Sequence, residues 1–551
     1  MYFTLAVSAA TRRACAVLTD AAEGTDPRVM PIPGPARVVW RAPDERAAVL
    51  HWGEGHRAGA SHAGTIWAEG ATVRARTSLT RVDPVYLAEV AGAVVVSDRA
   101  CWAAAVTGRL HDPDPVMIGA FLSLGYPVGG ATPFRGVRAL GGDQALRAAG
   151  GRLAVTRRRP EEEGPGGAAR VAAARVAAAR VAAALAEAVR PLGEAAAPVE
   201  LSLTGGKDSR LIAAALTAAR VPFLARTHGF GSHPDVLVAG LIASRLGLEH
   251  TITEPRPPGA PDEEDVVGRI RAAVLVSDGM LSAFENVGRP DPPLTGGPVT
   301  AGGHGGELLR GGYAQAAWRS PAVLGAAAAA ELFRRMTTRR LSLLRPGPAR
   351  AYLASLAPSA AALARGPMAE LDDFYLVNRA GRWSAAARQA YLLRSPLVQP
   401  LFADSVVRAA RAVPLPHRMS DRLHRDVLGL LCPELLGLPL AGTPWHGEPR
   451  TPATVLTVPP GPAAGDWRRD YGGALARFLR GYVLDHGAAS PMFGIVRRQA
   501  AERSLRSPQA DPHAVWALAT LAALLSGDWL NAREPASQAL ASRPPLSRGR
   551  T

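Results

Sequence analysis

Leu201-Ser-Leu-Thr-Gly-Gly-Lys-Asp-Ser209 reads as a strand running into a small-residue turn that opens a helix. Backbone N–H groups at such a turn point outward, where a phosphate can sit. Lys207 is the single lysine of the 551-residue chain, so the other 62 of its 63 basic residues are arginine. Two readings of that placement stand: charge directed at a phosphate, or coincidence. The stretch is not a Walker A loop, which needs Gly-x-x-x-x-Gly-Lys followed by Ser or Thr. The residue five before Gly206 is Leu201, and Lys207 is followed by Asp208.

Outward from the turn, the pattern alternates. Strand Val199–Thr204 leads to a helix from Asp208 to Arg220, whose Leu211, Ile212, Ala215 and Leu216 form a packing face. Strand Val221–Thr227 follows, then a helix opened by Ser232-His-Pro-Asp235, a capping-box-like start, and closed at Gly247. His250–Thr253 is the next strand. Joints this short predict a parallel sheet with ligand at the carboxyl ends of its strands. Upstream, Val171-Ala-Ala-Ala-Arg175 repeats as Val176-Ala-Ala-Ala-Arg180, a period that suits one alanine-rich helix with Val171, Val176, Val181 and Leu185 on a broad face. Pro255–Asp265 reads as a surface loop, and the remainder as mostly helical. Irregular stretches interrupt it at Gly442–Asp466 and after Arg533, the latter expected to be disordered.

Residues before about 156 carry short apolar segments between Gly, Pro and Asp, as in Ala36–Trp40, Gly92–Ser97 and Gly151–Thr156. They predict a largely β domain with a few helices, one over Asp112–Leu124. Arg157–Gly167 reverses charge sign and gathers helix breakers, which marks a linker. The expected organisation is a β-rich domain over 1–160, an α/β domain over 168–532 and a tail over 533–551.

A hydrophobic content of 48% is ample for large cores. Gly and Pro make 104 residues, about 19%, below the ~25–30% of a low-complexity chain. The net charge of +16 attracts anionic partners. No basic helix, zinc spacing or aromatic–basic interleaving points to nucleic acid, and an electropositive cleft for an anionic substrate accounts for the bias equally well. Cys15, Cys101 and Cys432 are widely separated and odd in number, so they read as reduced, semi-buried packing residues. No apolar stretch reaches the ~18–20 residues of a bilayer span. Met1–Val7 lacks a basic region and reads as a first strand, so a cytoplasmic protein is expected.

Two further segments build a constellation around the turn. Gly302-Gly-His-Gly-Gly-Glu-Leu-Leu-Arg-Gly-Gly-Tyr313 is a second glycine-rich turn bearing an acid and an imidazole; by itself it is equally a flexible loop. Arg394-Ser-Pro-Leu-Val-Gln-Pro-Leu-Phe-Ala-Asp404 is an apolar run ending in an acid. The turn resembles the pyrophosphate-binding loop of the adenine nucleotide α-hydrolase fold. The three in this order resemble the synthetase domain of the asparagine synthetase superfamily, over roughly 170–530. Gly125-Tyr-Pro127 and Thr132–Leu140 are similar to that family's glutaminase-type (Ntn) sandwich domain. In true asparagine synthetases the residue after the initiator Met is a nucleophilic cysteine; Tyr2 stands there, and a tyrosine cannot form the thioester. The resemblance therefore shifts toward ring-closing relatives such as β-lactam synthetase and the lasso peptide macrolactam synthetases. Arg226-Thr-His-Gly229, Ser277–Met280, Gly303–Tyr313, Arg379 with Arg382-Trp383, and Leu438–Trp445 look most like the lasso peptide cyclases.

That resemblance implies roles residue by residue. Thr204, Gly205, Gly206 and Ser209 cradle the ATP β and γ phosphates, with Gly303 in the same nucleotide-binding set; Asp208 and Glu307 hold Mg²⁺; Leu203 and Arg226 flank the adenine or ribose. A peptide Asp or Glu side chain becomes an acyl-adenylate, with pyrophosphate leaving. The peptide's own N-terminal amine then closes an isopeptide ring and releases AMP. His304 either accepts the amine proton or only contacts substrate or backbone. The family's late active-site lysine has no counterpart at Ala441–Trp445, which leaves Lys207 or Arg310 to supply positive charge. Prepositioning amine and ester contributes ~7–11 kcal/mol. The implied partners are a precursor core peptide, a leader peptidase and a leader-recognition protein. Two rivals stay open: an ATP-dependent amide synthetase for a small molecule, and a non-catalytic scaffold.

Overall fold

The computed structural model describes residues 72–531 except 91–92, 150–151, 158–169, 196, 256–261, 286–297, 319–325, 393–396, 458–467 and 470–471; of residues 1–71 it describes the backbone of five strands. Tyr2, most of the 157–167 linker, Arg394 to Pro396 and the tail after Arg533 lie outside the described residues.

The N-terminal region is largely β, as read. Six strands form an antiparallel sheet in the order 39–41, 14–17, 4–8, 93–97, 86–90, 137–139, and five form a second in the order 152–157, 144–149, 72–76, 64–69, 48–52. The helix expected from Asp112 begins at Pro115. The Asp114 carboxylate accepts the Val116 N–H at 2.8 Å and caps it, and Gly125 at φ +86° ends it at Leu124. Met117, Ile118, Phe121 and Leu122 are wholly buried in a core shared with Val274, Trp516 and Leu524 of the C-terminal helices. Polar ties cross the same boundary. Arg99 Nε donates to Asp278 at 2.9 Å with both side chains fully buried, and the Leu79 N–H donates to Asp404 Oδ1 at 2.7 Å. The apolar run at the third motif thus ends in an acid that anchors the N-terminal region.

The second region is built on a five-stranded sheet, parallel throughout: β1 (Val199–Ser202), β2 (Phe223–His228), β3 (His250–Thr253), β4 (Thr300–Ala301) and β5 (Leu397–Val398), in spatial order β3-β2-β1-β4-β5. Strand order reverses at β1, so the end of β1 is the switch point where such sheets bind ligands. Helix α1 (Arg170–Val189) packs beside the sheet, α2 (Lys207–Ala218) follows β1, and α3 (Pro234–Leu246) follows β2. Leu211, Ile212, Ala215 and Leu216 of α2 are fully buried, as their spacing predicts. The region after Glu263 is mostly helical and includes the buried helix Pro512–Ser526.

Three expectations need correction. Val176 is 52% exposed, while Ala178, Val181, Ala182, Leu185, Ala188 and Val189 face the core. A five-residue repeat turns about 140° per step on an α-helix, so valines 176 and 181 cannot share a stripe. The loop read as Pro255–Asp265 gives way to a helix at Glu263, because Asp262 accepts the Asp265 N–H at 2.7 Å and three acids occupy the first turn, where the helix dipole favours them. Cys101 and Cys432 are fully rather than semi-buried. Among the described residues, no helix is long and apolar enough to cross a membrane.

Candidate active site at the end of strand β1

The turn after β1 is bonded to itself. Ser209 Oγ lies 3.1 Å from the Thr204 N–H, carbonyl and hydroxyl, and Thr204 Oγ1 accepts the Gly206 N–H at 3.2 Å. Gly205 N–H is held by Asp235 Oδ1, from the first turn of α3, at 3.0 Å. Gly206 is the N-cap of α2 and offers no side-chain cap, so the positive end of a twelve-residue helix faces the turn.

Glycines let three separate segments meet on this turn. A Cβ at Gly303 would lie 2.6 Å from the Ser209 nitrogen, and one at Gly306 would lie 2.0 Å from Asp208 Oδ1. At Gly205 it would lie 2.4 Å from the Ala441 Cβ, and the Ala441 N–H donates to the Gly205 carbonyl at 3.1 Å. Contacts below 3 Å leave no room for a side chain, so these glycines are what lets 302–313 and the 441–446 segment close over α2.

That closure gathers the charges. Arg310, at the end of the short helix Gly306–Arg310, grips Asp208 bidentately at 2.6 and 3.1 Å and approaches Glu307 at 3.9 Å. Two carboxylates separated by about a hundred residues therefore converge on one guanidinium, at the mouth of the phosphate-type turn. Oxygen donors of this kind suit Mg²⁺, and Glu307, 47% exposed, remains open to a ligand. His304 lies within electrostatic reach of both acids; burial lowers its pKa from the ordinary value, with the Glu307 and Asp208 charges opposing that and the Arg379 charge adding to it. Its imidazole is thus neutral at neutral pH.

Lys207 lines the cavity beside the turn and is held there by partners within the protein. Its Nζ donates to Asp421 Oδ2 at 2.7 Å and to the Pro444 carbonyl at 3.0 Å, and lies 4.9 Å from the Trp445 ring centroid. Asp421, wholly buried and at φ +60°, also accepts from Gln315 Nε2 at 2.7 Å and from the His446 N–H at 3.0 Å. Burial acts to raise its pKa, but the hydrogen bond and charge of Lys207, with Gln315 and Arg310, hold it below the usual carboxylate value. His424 completes the floor. Its Nε2 faces the Lys207 carbonyl at 3.1 Å, so Nε2 carries the proton, and burial followed by the Arg310 charge drives its pKa down to about 3. Asp421, His424 and Gln315 were missed by sequence reasoning; Asp421 sits in a short stretch between two helices with no motif to single it out. A cavity of about 240 Å³ is lined by Gly206, Lys207, Asp208, Arg310, Gln315, Leu440, Gly442 and Thr443.

The Lys207–Asp421 pair gives a prediction. Lys207→Gln leaves a buried carboxylate without its cation, and the expected cost is about 3–5 kcal/mol of stability. Denaturant titration checks it; a change below ~1 kcal/mol would show that the pair is not structural.

Leu203 and Arg226, expected to flank the adenine or ribose, lie at the end of β1 and on β2. The Leu203 side chain is fully buried in the core, its N–H donates to the Arg226 carbonyl at 2.9 Å, and its own carbonyl accepts from Thr227 Oγ1 at 2.8 Å. With its side chain fully buried just beyond β1, any contact from Leu203 to a ligand is through its backbone. Arg226 is about half exposed and pairs with Glu200 at 3.1 Å across the β1–β2 ladder.

Residues 180–452 match the family model described as asparagine synthase. The match spans the β1 turn, the 302–313 segment and the Trp445 segment, and it supports an ATP-dependent carbon–nitrogen ligase of the asparagine synthetase type, a family that uses ATP, generally with Mg²⁺. No curated protein matches the chain.

Proposed function

We propose that this chain is a lasso peptide cyclase: it adenylates an Asp or Glu side chain of a precursor core peptide and joins it to the peptide's N-terminal amine. The observation that carries the reading is the convergence of Asp208, Glu307 and Arg310 at the mouth of the self-bonded glycine turn, with His304 beside them.

On this reading the α2 N-terminus and the Thr204–Ser209 backbone receive the β and γ phosphates, exchanging internal bonds for bonds to the nucleotide. A substrate carboxylate oxygen attacks the α-phosphorus and pyrophosphate leaves. The amine nitrogen then attacks the acyl carbon and AMP departs, while an imidazole nitrogen of His304 takes the amine proton. Mg²⁺ held by Asp208 and Glu307 would neutralise the leaving pyrophosphate. Arg310 supplies fixed positive charge at the same place; burial opposes its charged form, but Asp208 and Glu307 outweigh that and raise its pKa. On this reading the amine comes from the substrate itself. A leader peptidase and a leader-recognition protein complete the proposed pathway.

The test is incubation with ATP, Mg²⁺ and core peptides encoded beside the gene. A product lighter by one water, with one AMP and one pyrophosphate per ring, is expected. Amide formation only with small acids would favour the small-molecule synthetase, and no AMP with any acid would favour the scaffold.

His304 makes a second prediction. A lowered pKa means that the neutral base form persists below pH 6.5 and is lost only at more acid pH. The acid limb of kcat against pH is therefore expected below the ordinary histidine range. His304→Gln should remove that limb and slow ring closure by roughly 10²–10⁴-fold. An unchanged profile would leave His304 as a contact residue.

A further inference from the structure

Behind His304 lies a cluster that the reaction above does not use. Tyr126 from the N-terminal region and Tyr313 bond hydroxyl to hydroxyl at 2.6 Å, and Tyr313 meets Tyr375 edge to face at 5.1 Å. Burial raises the pKa of all three phenols, against the lowering influence of the Arg379 charge, so they are neutral. Over this wall lies Arg379. Its guanidinium is 3.5 Å from the Trp383 ring centroid and 5.7 Å from that of Tyr126. It is close enough to act on the His304, Tyr313 and Tyr375 charges, yet it forms no ion pair among the described residues. Its neighbour Arg382 serves a different end: it is buried, bonded to the Ala131 carbonyl and set over Tyr86. The nearby acid, Glu307, lies 3.9 Å from Arg310 and meets the Tyr375 hydroxyl, stays 47% exposed, and forms no ion pair with Arg379 among the described residues.

We infer that Arg379, held flat by Trp383, is the receptor for a carboxylate of the substrate, and that the Tyr126–Tyr313–Tyr375 wall makes the site select an acid on a peptide rather than a neutral side chain. The inference rests on the amide-synthetase reading for the identity of that acid. A guanidinium stacked on an aromatic face keeps its edge N–H groups free for a planar, bidentate partner. An unpaired cation in a half-buried, aromatic setting gains most from an anion that brings its own charge. Arg379 acts by binding and orientation, so it is a specificity residue.

The test compares wild type with Arg379→Gln and Arg379→Lys. The probes are two short peptides with a free N-terminal glycine and one internal side chain, Glu in the first and Gln in the second. Affinity is read by titration calorimetry or saturation-transfer NMR to millimolar concentration, and ATP–pyrophosphate exchange is read with the same peptides. Wild type is expected to bind the Glu peptide about tenfold or more tightly than the Gln peptide, the scale of a hydrogen bond to a charged group. Arg379→Gln should lose that preference and raise KM for the peptide without changing KM for ATP, and Arg379→Lys should restore part of it. Equal binding of the two peptides by wild type, binding of neither, or an intact preference in Arg379→Gln overturns the inference. Exchange with the Glu peptide that Arg379→Gln leaves untouched overturns it while sparing the synthetase. Loss of acid preference in a protein that supports no exchange keeps the subsite and sinks the synthetase reading.

Discussion

Asp208→Asn is expected to lower formation of AMP and pyrophosphate by about 10³-fold or more, the scale of losing a charge that acts on the transition state. The carboxylate does two things that an amide cannot. It accepts both N–H groups of Arg310, at 2.6 and 3.1 Å, and it supplies an anionic oxygen for Mg²⁺ at the mouth of the turn. The amide would present an NH₂ to the guanidinium and repel it. Because the Asp208 side chain is 22% exposed, the stability loss should be modest, about 1–3 kcal/mol, so the variant should fold. Melting curves and pyrophosphate release measured on one preparation separate the two effects. Turnover within tenfold of wild type would remove Asp208 from the machinery and, with it, the proposed use of Glu307.

The second large effect is expected from one methyl group. In Gly306→Ala the new Cβ would sit 2.0 Å from Asp208 Oδ1 and 2.1 Å from its Cγ. Gly306 is not in the left-handed region, so alanine suits the backbone and the clash alone decides the outcome. Either the Asp208 carboxylate swings off Arg310 or the 302–310 segment lifts from α2. Overpacking of this kind costs about 1–3 kcal/mol, and the displaced carboxylate should lower kcat by roughly 10²-fold. Gly437→Ala is the control, since nothing lies within 4 Å of its Cβ. Wild-type kinetics in Gly306→Ala would mean that the close approach of the two glycine segments is not needed for activity.

The alternation around the β1 turn was legible because each joint carries its own local signal. Short apolar runs, Gly206 before α2, Pro234 at the start of α3 and Gly247 after it are nearest-neighbour information, and the observed bounds fall within a few residues of those read. The repeat at 171–180 misled where spacing by five imitates an apolar face without matching the helical turn. The two short strands Thr300–Ala301 and Leu397–Val398 carry no propensity signal of their own; they exist because β1 offers them an edge.

The site divides along the same line. The residue types at 204–209 and 302–313 are written in the chain, although the second segment by itself reads equally as a flexible loop. That Arg310 grips Asp208 could not be read there, nor that the one lysine is spent on Asp421. Electrostatic pairing depends on distance in space, and residues 208, 310 and 421 come within a few ångströms only after packing. Composition and order thus determined which groups this protein carries and which elements present them. Only the tertiary structure decided which charges neutralise one another and which, like Arg379, have no ion-pair partner among the described residues, because burial makes each unpaired charge costly and folding settles the pairs.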